Sequence, residues 1–366
     1  MMNHSETDAP PPASASRGFW GETWHRFRRR KLSMAALSLV TLLGVIAMLA
    51  PAIAGTKPIV VKYKGDIYFP AMGYFNAGWE NPVFQRDKFR KRYPANLKKN
   101  DPDSWAIWPF VYQDPYRRVR EGEWPNQPGN PTQDQGRPNE YNLFGTDKRG
   151  VDVFAQMVHG TTIALLVGFV SMSIASTIGI SVGAIAGYLG GWADMIMSRI
   201  IELVMCVPPL VLILALLAIV ETPTIWHMMA VIGCTSWTGI ARLTRGEFLK
   251  LKGTDFVAAA RALGVGQMRI VFRHVLPNAL APVLVPISFG IAAAILIESG
   301  LSFLGFGAPP PNPSWGTLLN SGRENLELWW LIVFPGTAIF IAVLAYNLIG
   351  DGLQQATDPR LRDGDA

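Results

Sequence analysis

The sequence predicts an all-α membrane protein with six transmembrane helices and a large external loop insert between helices 1 and 2. Three observations support this fold class. Only 16% of the 366 residues are charged, although a soluble domain carries about 25%. Six apolar runs have lengths close to the roughly 20 helical residues that cross a bilayer. Within these runs Glu202 is the one charged residue.

The six runs lie at residues 33–54, 161–187, 200–220, 225–241, 280–297 and 329–350. Backbone inside lipid must satisfy its own hydrogen bonds, so each run should be helical. Core helices of a large soluble protein would keep a polar face, which these runs lack. The run at 225–241 is short and contains His227, Ser236 and Thr238. The pattern excludes an ordinary cytosolic enzyme.

Basic residues predict the orientation of the chain, because short cytoplasmic loops are rich in Lys and Arg. Residues 1–32 form a basic N-terminal segment, which we expect in the cytoplasm. Six crossings return the tail at 351–366 to the same side. The stretch between the fourth and fifth runs then lies in the cytoplasm. Its basic residues are Arg242, Arg245, Lys250, Lys252, Arg261, Arg269 and Arg273.

The N-terminal segment combines two kinds of sequence. Residues 1–16 are rich in Pro, Ala and Ser, which is typical of disorder. Trp20, Trp24 and Phe27 then follow at helical spacing beside several arginines. This pattern predicts a short helix on the inner membrane surface, in contact with lipid. A nucleic-acid-binding arm is not expected so close to a membrane anchor.

The first apolar run could also belong to a cleaved signal peptide, since Ala52-Ile53-Ala54 resembles a processing site. The basic leader and the apolar run are both too long for that interpretation. We therefore expect 33–54 to be a retained transmembrane helix.

The external insert at 55–156 contains eleven prolines and four tryptophans. Its aromatic content and β-like runs such as 59–63 predict partial order. Both cysteines, Cys206 and Cys234, fall within membrane runs, so no disulfide is expected in the insert. Two roles stay open, docking of an external partner or a cap that is specific to a family.

The sequence contains no catalytic, cofactor-binding or metal-binding motif of the common kinds. The chain has no Gly-Lys dipeptide, no Cys-x-x-Cys and no His-Glu-x-x-His, so we predict no nucleotide, cofactor or metal site and no enzyme activity. No Asp, Glu, Lys or Arg is expected near the middle of a crossing, where ion-driven carriers place ionisable groups. Energy for transport would therefore come from another chain.

The basic stretch at 244–279 is the most informative part of the sequence. Thr254 or Asp255 can cap the N-terminus of a helix, and Gly264 can end it with a positive φ. The predicted helix has an alanine-rich face with Arg261 beside it, which suits a partner's groove and a partner's carboxylate. A surface connector that meets anionic lipid is equally compatible with these residues.

The stretch resembles the Glu-Ala-Ala loop of importer permeases that ATP-binding-cassette (ABC) ATPases power. Ala259, Ala260, Gly264, Leu276 and Pro277 match that family's pattern at its spacing. Ala258 stands where the family has Glu, and His274 stands where it has Ile. The form His-Val-Leu-Pro-Asn is typical of the peptide-importer branch. The resemblance implies a coupling loop formed by Asp255, Ala258, Ala259, Ala260, Arg261, Gly264, His274, Leu276 and Pro277.

The resemblance covers 17–53 and 141–362. Phe144-Gly145-Thr146-Asp147 and the segments 298–305, 310–316 and 358–362 are similar to oligopeptide and dipeptide permeases. The insert, with Tyr68-Phe69-Pro70, is similar to the oligopeptide and microcin C variety.

This family implies a permease subunit in the bacterial inner membrane. Its expected partners are a second permease that completes a heterodimer, two ABC ATPase subunits, an external solute-binding protein and a peptide substrate. Pro208 and Pro209 are candidate gating points. Glu298 could meet a peptide amine or the partner permease, or it could be a solvated cap residue. A membrane-anchored sensor whose insert binds a ligand is the alternative function, and an ion-coupled carrier is the third.

Overall fold

The computed structural model describes residues 19–87, 89, 93–120, 123, 136–307 and 312–357. The disorder predicted for 1–16, the segment 358–362 and part of 310–316 lie outside the described residues. The helices are α1 (Phe19–Arg29), α2 (Lys31–Ile53), α3 (Pro82–Arg86), α4 (Tyr93–Asn100), α5 (Val153–Leu189), α6 (Gly191–Met205), α7 (Pro209–Ala218), α8 (Ile225–Lys252), α9 (Asp255–Ala262), α10 (Gln267–Ile270), α11 (Leu276–Phe303), α12 (Trp315–Glu324) and α13 (Trp330–Thr357). The strands are β1 (Val60–Tyr63), β2 (Asp66–Tyr68) and β3 (Trp105–Ile107).

Long apolar helices dominate the described part of the chain, as predicted. Four helical segments, α2, α5, α13 and the continuous segment Gln267–Phe303 that ends with α11, are each long and apolar enough to cross a membrane. The pair α6 and α7, bent by 84°, makes a fifth if it is counted as one span. The fourth predicted crossing is α8, which is not among these candidate spans because polar and basic residues interrupt it.

The helices α5 and α8 pack closely and run parallel. The hydroxyl of Ser171 donates to the carbonyl of Met229 at 3.0 Å, and further along α5 three glycines face α8. A Cβ on Gly179 would lie 2.8 Å from the carbonyl oxygen of Trp237, and one on Gly187 would lie 2.6 Å from that of Arg245. Glycines four residues apart let two helix backbones approach closely in a membrane.

Parallel packing decides how the chain crosses. Since α5 and α8 point the same way, the segment between them must return across the membrane, so α6 and α7 form a crossing and not a hairpin on one side.

The helix α2 is antiparallel to α5, because Ala47 and Ala54 accept hydrogen bonds from Thr162 and His159 respectively. Ser33, next to the start of α2, touches Gly352 near the end of α13. Both ends of the described chain therefore lie on one side, as predicted.

The structure corrects the bounds and the shape of the third predicted crossing. It was expected as one helix over 200–220, but it begins at Gly191 and breaks between Met205 and Pro209. Pro208 and Pro209 have no N–H to donate, so they cannot continue the hydrogen bonding of α6. Glu202, which we expect near the end of its run, lies in α6 three residues before the last residue, Met205. The expectation that no charged residue lies near the middle of a crossing stays a prediction.

The bounds of the second and fourth predicted crossings also differ from the prediction. The second crossing begins at Val153 and not at 161, which ends the insert at Asp152. The fourth crossing continues to Lys252 and not only to 241. The first nine residues of the predicted loop at 244–279 therefore belong to a helix. Periodicity does not mark these ends, because membrane helices extend past the apolar run into water.

The external insert is partly ordered, as predicted. The strands form an antiparallel sheet in the order β2–β1–β3, in which Val61 pairs with Tyr68 and with Ala106. Four buried rings pack against one another at centroid distances of 5.1–5.8 Å, and they belong to Tyr63, Phe84, Phe89 and Tyr93. This small aromatic core explains why the insert holds a structure without a disulfide.

A buried polar joint fixes the insert to the membrane helices. The hydroxyl of Thr56 donates to the carboxylate of Asp114 at 2.8 Å, and the backbone N–H of Thr56 donates to the hydroxyl of Tyr74 at 2.8 Å. The ring of Tyr74 lies 5.1 Å from that of His159 in α5. The insert is therefore attached to α5 as well as to the end of α2.

The N-terminal helix α1 forms as predicted. Phe27 is buried and contacts Gly352 of α13, whereas Trp24 and Arg28 are exposed. The sequence hypothesis that this exposed side meets lipid stays a prediction.

Replacing Gly183 by alanine should weaken the packing of α5 on α8. The added Cβ would lie 2.7 Å from Thr244 Cβ and would overlap the carbonyl of Ala241. Overpacking of this kind costs about 1–3 kcal/mol. The control is Gly246→Ala in α8, where nothing lies within 4 Å and alanine should add up to ~1 kcal/mol of helix stability. Thermal unfolding in detergent measures both, and equal midpoints for the two variants would contradict the close packing.

The carboxyl group of Asp152 should make stability depend on pH. Its Oδ1 accepts the backbone N–H of Ala155 at 2.7 Å, whereas its buried Oδ2 has no hydrogen bond from any described residue. Burial raises the pKa of Asp152 to about 7. Between about pH 4 and pH 7 the unfolded chain ionises this group first, so stability falls as the pH rises.

The comparison of Asp152→Asn with the parent protein tests this pH dependence. The unfolding temperature of the variant minus that of the parent should increase from pH 5 to pH 8 by at least about 2 °C, the shift that roughly 1 kcal/mol produces in a domain of 150–250 residues. Asp103→Asn, at an exposed position, is the matched control. A difference that stays constant with pH would show that Asp152 is ionised throughout.

Candidate functional site

The connection between α8 and α11 contains the predicted coupling residues. It consists of α9, α10 and a π-helical turn at Val271–Val275. Thr254 occupies the N-cap position of α9 with an extended backbone. Its hydroxyl donates to the carbonyl of Leu251 at 2.6 Å and does not accept an N–H of α9. The position was predicted correctly, and the side-chain cap was not.

The end of α9 has the geometry that the sequence predicts. Gly264 has φ +74°, a value that residues with a Cβ rarely adopt. Its N–H donates to the carbonyl of Arg261 at 2.9 Å, and the N–H of Val265 donates to that of Ala260 at 3.1 Å. These two bonds form a Schellman motif, which ends a helix and reverses the chain.

A small hydrophobic core lies beneath α9. Val257 and Ala260 pack in one cluster with Ile270 and Val275 of the following segment. Tyr188 at the end of α5 and Phe248 of α8 complete the cluster. Ala260 is therefore a buried supporting residue, not part of a docking surface. Leu276 is half-buried against the same cluster, so the structure brings it together with α9.

The opposite side of α9 is exposed and small. We call Ala258, Ala259, Ala262 and Leu263 the α9 face, and all four are exposed. Leu263 has 83% of its side chain exposed. Asp255 and Arg261 are exposed beside this face. A narrow apolar surface with a charge of each sign at its edges can enter a groove on another protein.

Three further predicted residues lie on the far side of the turn. His274 is half-buried in the π-helical turn, and its carbonyl oxygen accepts a hydrogen bond from Asn278 Nδ2 at 2.6 Å. Pro277 is exposed in the first turn of α11. The structure does not bring these two into the α9 face. His274 lies in the turn that precedes α11, and Pro277 lies in the first turn of that helix.

Polar contacts that the sequence analysis missed attach α9 to other crossings. Lys252 Nζ donates to the carbonyl of Tyr188 at 2.6 Å, and the guanidinium of Arg261 lies 6.0 Å from the centre of the Tyr188 ring. Arg245 of α8 forms a bidentate ion pair with Asp194 of α6, with Nη2 and Oδ2 2.8 Å apart. These partners are 51 and 64 residues apart in the chain. The spacing of Gly179, Gly183 and Gly187 is the sequence signal that another helix packs closely against α5.

The predicted gating residues lie in different environments. Pro208 and Pro209 are exposed at the break between α6 and α7. Glu298 is buried with 1% of its surface exposed and accepts the hydroxyl of Ser302 at 2.7 Å. The solvated-cap alternative is therefore wrong, because the side chain turns inward to serine hydroxyls, and the role in the path stays a prediction. In the part of the chain that the structure describes, no group of three or more His, Cys, Asp or Glu is arranged to hold a metal ion.

Residues 179–363 match the family described as the inner membrane component of binding-protein-dependent transport systems. The chain belongs to this family. The match begins at Gly179, the first of the three α5 glycines that face α8, and includes the connection between α8 and α11 that contains α9. The site just described therefore lies within the matched residues. Residues 18–70 match a second family, the N-terminal transmembrane domain of oligopeptide transport permease C. The family is a transport component and not a catalytic one.

Named relatives cover most of the chain. The "Inner membrane ABC transporter permease protein YejE" of Escherichia coli is 31% identical over 339 residues, 92% of this chain and 96% of the relative. The "Peptidoglycan transport system permease protein YejE" of Agrobacterium fabrum is 31% identical over 92% of each chain. A "Putative peptide permease protein" of Brucella suis is 43% identical over 61% of this chain and 74% of the relative. Among solved structures, a chain of the inward-facing MetNI methionine ABC transporter matches 55% of this chain and 95% of its own at 21% identity, with a TM-score of 0.47.

Gly264→Val should loosen α9. A left-handed backbone costs a residue with a Cβ about 1–2 kcal/mol, which favours opening of the turn at Val265. We expect the amides of 255–265 to exchange with solvent roughly tenfold faster in hydrogen-exchange mass spectrometry. Gly266→Val is the control, because Gly266 has φ −59° and nothing lies within 4 Å of its added Cβ. The same exchange rates in both variants would argue against a conformational demand at Gly264.

Proposed function

We propose that the chain is the permease subunit of an ATP-driven ABC importer for peptides and forms half of the translocation path. The observation that carries the proposal is the α9 face, an exposed apolar surface of small residues on a loop attached to three crossings. Membership of the transport family and the names of the relatives, which include peptide permeases, support the substrate class. The expected contribution of Ala258, Ala259, Arg261 and Gly264 belongs to this proposal.

In this proposal α9 lies on the cytoplasmic side of the membrane. The basic residues around α9 and those of α1 lie on this side, which agrees with the positive-inside rule. Two ABC ATPase subunits bind here, and a groove on one of them receives the α9 face. The insert at 54–152 then lies in the periplasm. A solute-binding protein delivers peptide on that side, where exposed aromatic residues such as Phe69 and Trp79 are available for contact.

Coupling follows from the contacts beneath α9. When the ATPases close, a push on the α9 face reaches Tyr188 at the end of α5 through Lys252, Arg261 and the buried cluster. The ion pair of Arg245 with Asp194 carries the displacement of α8 to α6. Ala258 replaces the carboxylate that the related loops have, so the contact here depends on shape more than on charge.

A second permease completes the path. The crossing formed by α6 and α7 is exposed along much of its length, with Leu203 at 69% and Val211 at 56%. A single chain with such an open side does not enclose a path. A second subunit of the same family that faces this side encloses the path between the two chains and makes the heterodimer.

Leu263→Asp should prevent binding of the ATPase. Burying an unpaired carboxylate in an apolar groove costs several kcal/mol, so the ATPase subunits recovered with tagged chain from detergent extracts should fall at least tenfold. ATP-dependent peptide uptake should fall with them, as it should in Gly264→Val. Leu326→Asp is the matched control, because Leu326 is 73% exposed and lies between α12 and α13, outside the α9 loop.

Two outcomes would contradict the proposal. The parent chain could fail to bring down an ATPase and a second permease, which would favour the anchored sensor. Leu263→Asp could also bind the ATPase as well as Leu326→Asp does, which would remove α9 as the coupling helix.

A further inference from the structure

The broken crossing contains an ion pair that the established family function does not assign. Arg199 Nη1 and Glu202 Oε2 are 2.6 Å apart on α6. The two side chains are 75% and 59% exposed. An exposed ion pair is ordinary on a soluble protein, but this one lies on a helix that crosses a membrane.

The depth of the pair follows from two fixed points. The ion pair between Asp194 and Arg245 ties the first turn of α6 to α8 at a point seven residues before its last residue, Lys252, on the α9 side of the molecule. Glu202 is eight residues further along α6, which is about 12 Å at 1.5 Å per residue. The break between Met205 and Pro209 begins within one turn after it. The pair therefore lies inside the membrane, beside the break.

The pair and the break share one side of α6. Arg199, Glu202 and Cys206 are spaced by three and four residues, which puts them in a row on a helix surface. Cys206, Val207 and Pro208 are all exposed. Non-helical backbone at this depth is found only where it is buried in protein or lines a water-filled cavity. Charged side chains inside a membrane follow the same rule, so two independent features exclude lipid on this side.

We propose that Arg199, Glu202 and the break at 206–208 line the translocation path and hold the charged ends of a peptide with free amino and carboxyl termini. This inference rests on the proposed function and names a substrate-recognition site for it.

The chemistry of the pair fits a zwitterion. A guanidinium binds a carboxylate through two parallel hydrogen bonds, and the carboxylate of Glu202 can accept an ammonium group. Without peptide the two side chains neutralise each other, so the site needs no counter-ion. A zwitterion can exchange partners with both groups while the total charge remains zero, whereas a single ion would leave one group unpaired. Binding by exchange is also weak enough for release, as a conducting path requires.

The rival occupant of this side is the second permease. If its surface covered Arg199 and Glu202, neither water nor peptide would reach them in the assembled transporter. The native Cys206 lies in the break and reports directly on this difference.

The first experiment measures access to Cys206 in the assembled, unmodified transporter in membranes. A charged methanethiosulfonate reagent is added to inverted vesicles, and mass spectrometry follows the modified peptide that carries Cys206. We expect modification, slowed at least fivefold by a saturating transported tripeptide with free termini. Either an unmodified Cys206 or a rate unaffected by the peptide, in vesicles that take up peptide, would overturn the proposal.

The second experiment replaces the charges. We expect Arg199→Gln and Glu202→Gln each to lower peptide uptake at least tenfold at low peptide concentration, with ATPase subunits still recovered in parental amounts. The matched control is Lys148→Gln, which removes an exposed ion pair with Glu324 outside the membrane helices. Uptake at the parental rate in both α6 variants would overturn the assignment.

The proposed function and the proposed peptide site are contradicted by different outcomes. A parent chain that supports no peptide uptake would contradict the proposed function. A parent chain that takes up peptide, with Cys206 inaccessible or both charge variants active, would contradict only the site on α6.

Discussion

The close parallel packing of α5 on α8 is the constraint on which the rest of the structure depends. Gly179, Gly183 and Gly187 leave no room for a side chain where α8 passes, so the two backbones form one unit. Two parallel helices that are neighbours among the crossings require a return segment, and α6 with α7 supplies it. Tyr188 of α5 and Phe248 of α8, which lie at the α9 side of this unit, also form the cluster on which α9 packs.

The attachment of α9 gives the proposed coupling a physical route. A loop joined to one helix would move alone when pushed, because flexible backbone absorbs the displacement. Here the buried cluster and the contacts of Lys252 and Arg261 join α9 to α5, and the ion pair of Arg245 joins α8 to α6. In the proposed coupling this movement reaches α6, which carries the pair of Arg199 and Glu202 and ends at the break. The docking surface and the proposed peptide site are thus two ends of one connected set of helices.

Much of the fold and part of the site could be predicted. Long charge-free runs are a strong signal because lipid excludes charges and unpaired backbone, and Gly264 is a strong signal because few residues accept a positive φ. The break after Met205 was seen only as two prolines, since proline is often tolerated within membrane helices, as Pro282 and Pro286 are in α11. The inward orientation of Glu298 depends on serines, one of them four residues away, and nothing in its local pattern distinguishes it from a solvated end residue.

The sequence by itself determined the local features of this protein: six apolar segments that contain one charged residue, a basic loop with a helix-ending glycine, and an aromatic insert without disulfides. These features are local, because solvation, charge and backbone freedom act on each residue where it stands. Only the tertiary structure decided which helices run together, that the third crossing bends by 84°, and that a charged pair lies within it. Those outcomes depend on contacts between residues dozens of positions apart, such as Arg245 with Asp194, and a pattern read along the chain contains no information about them.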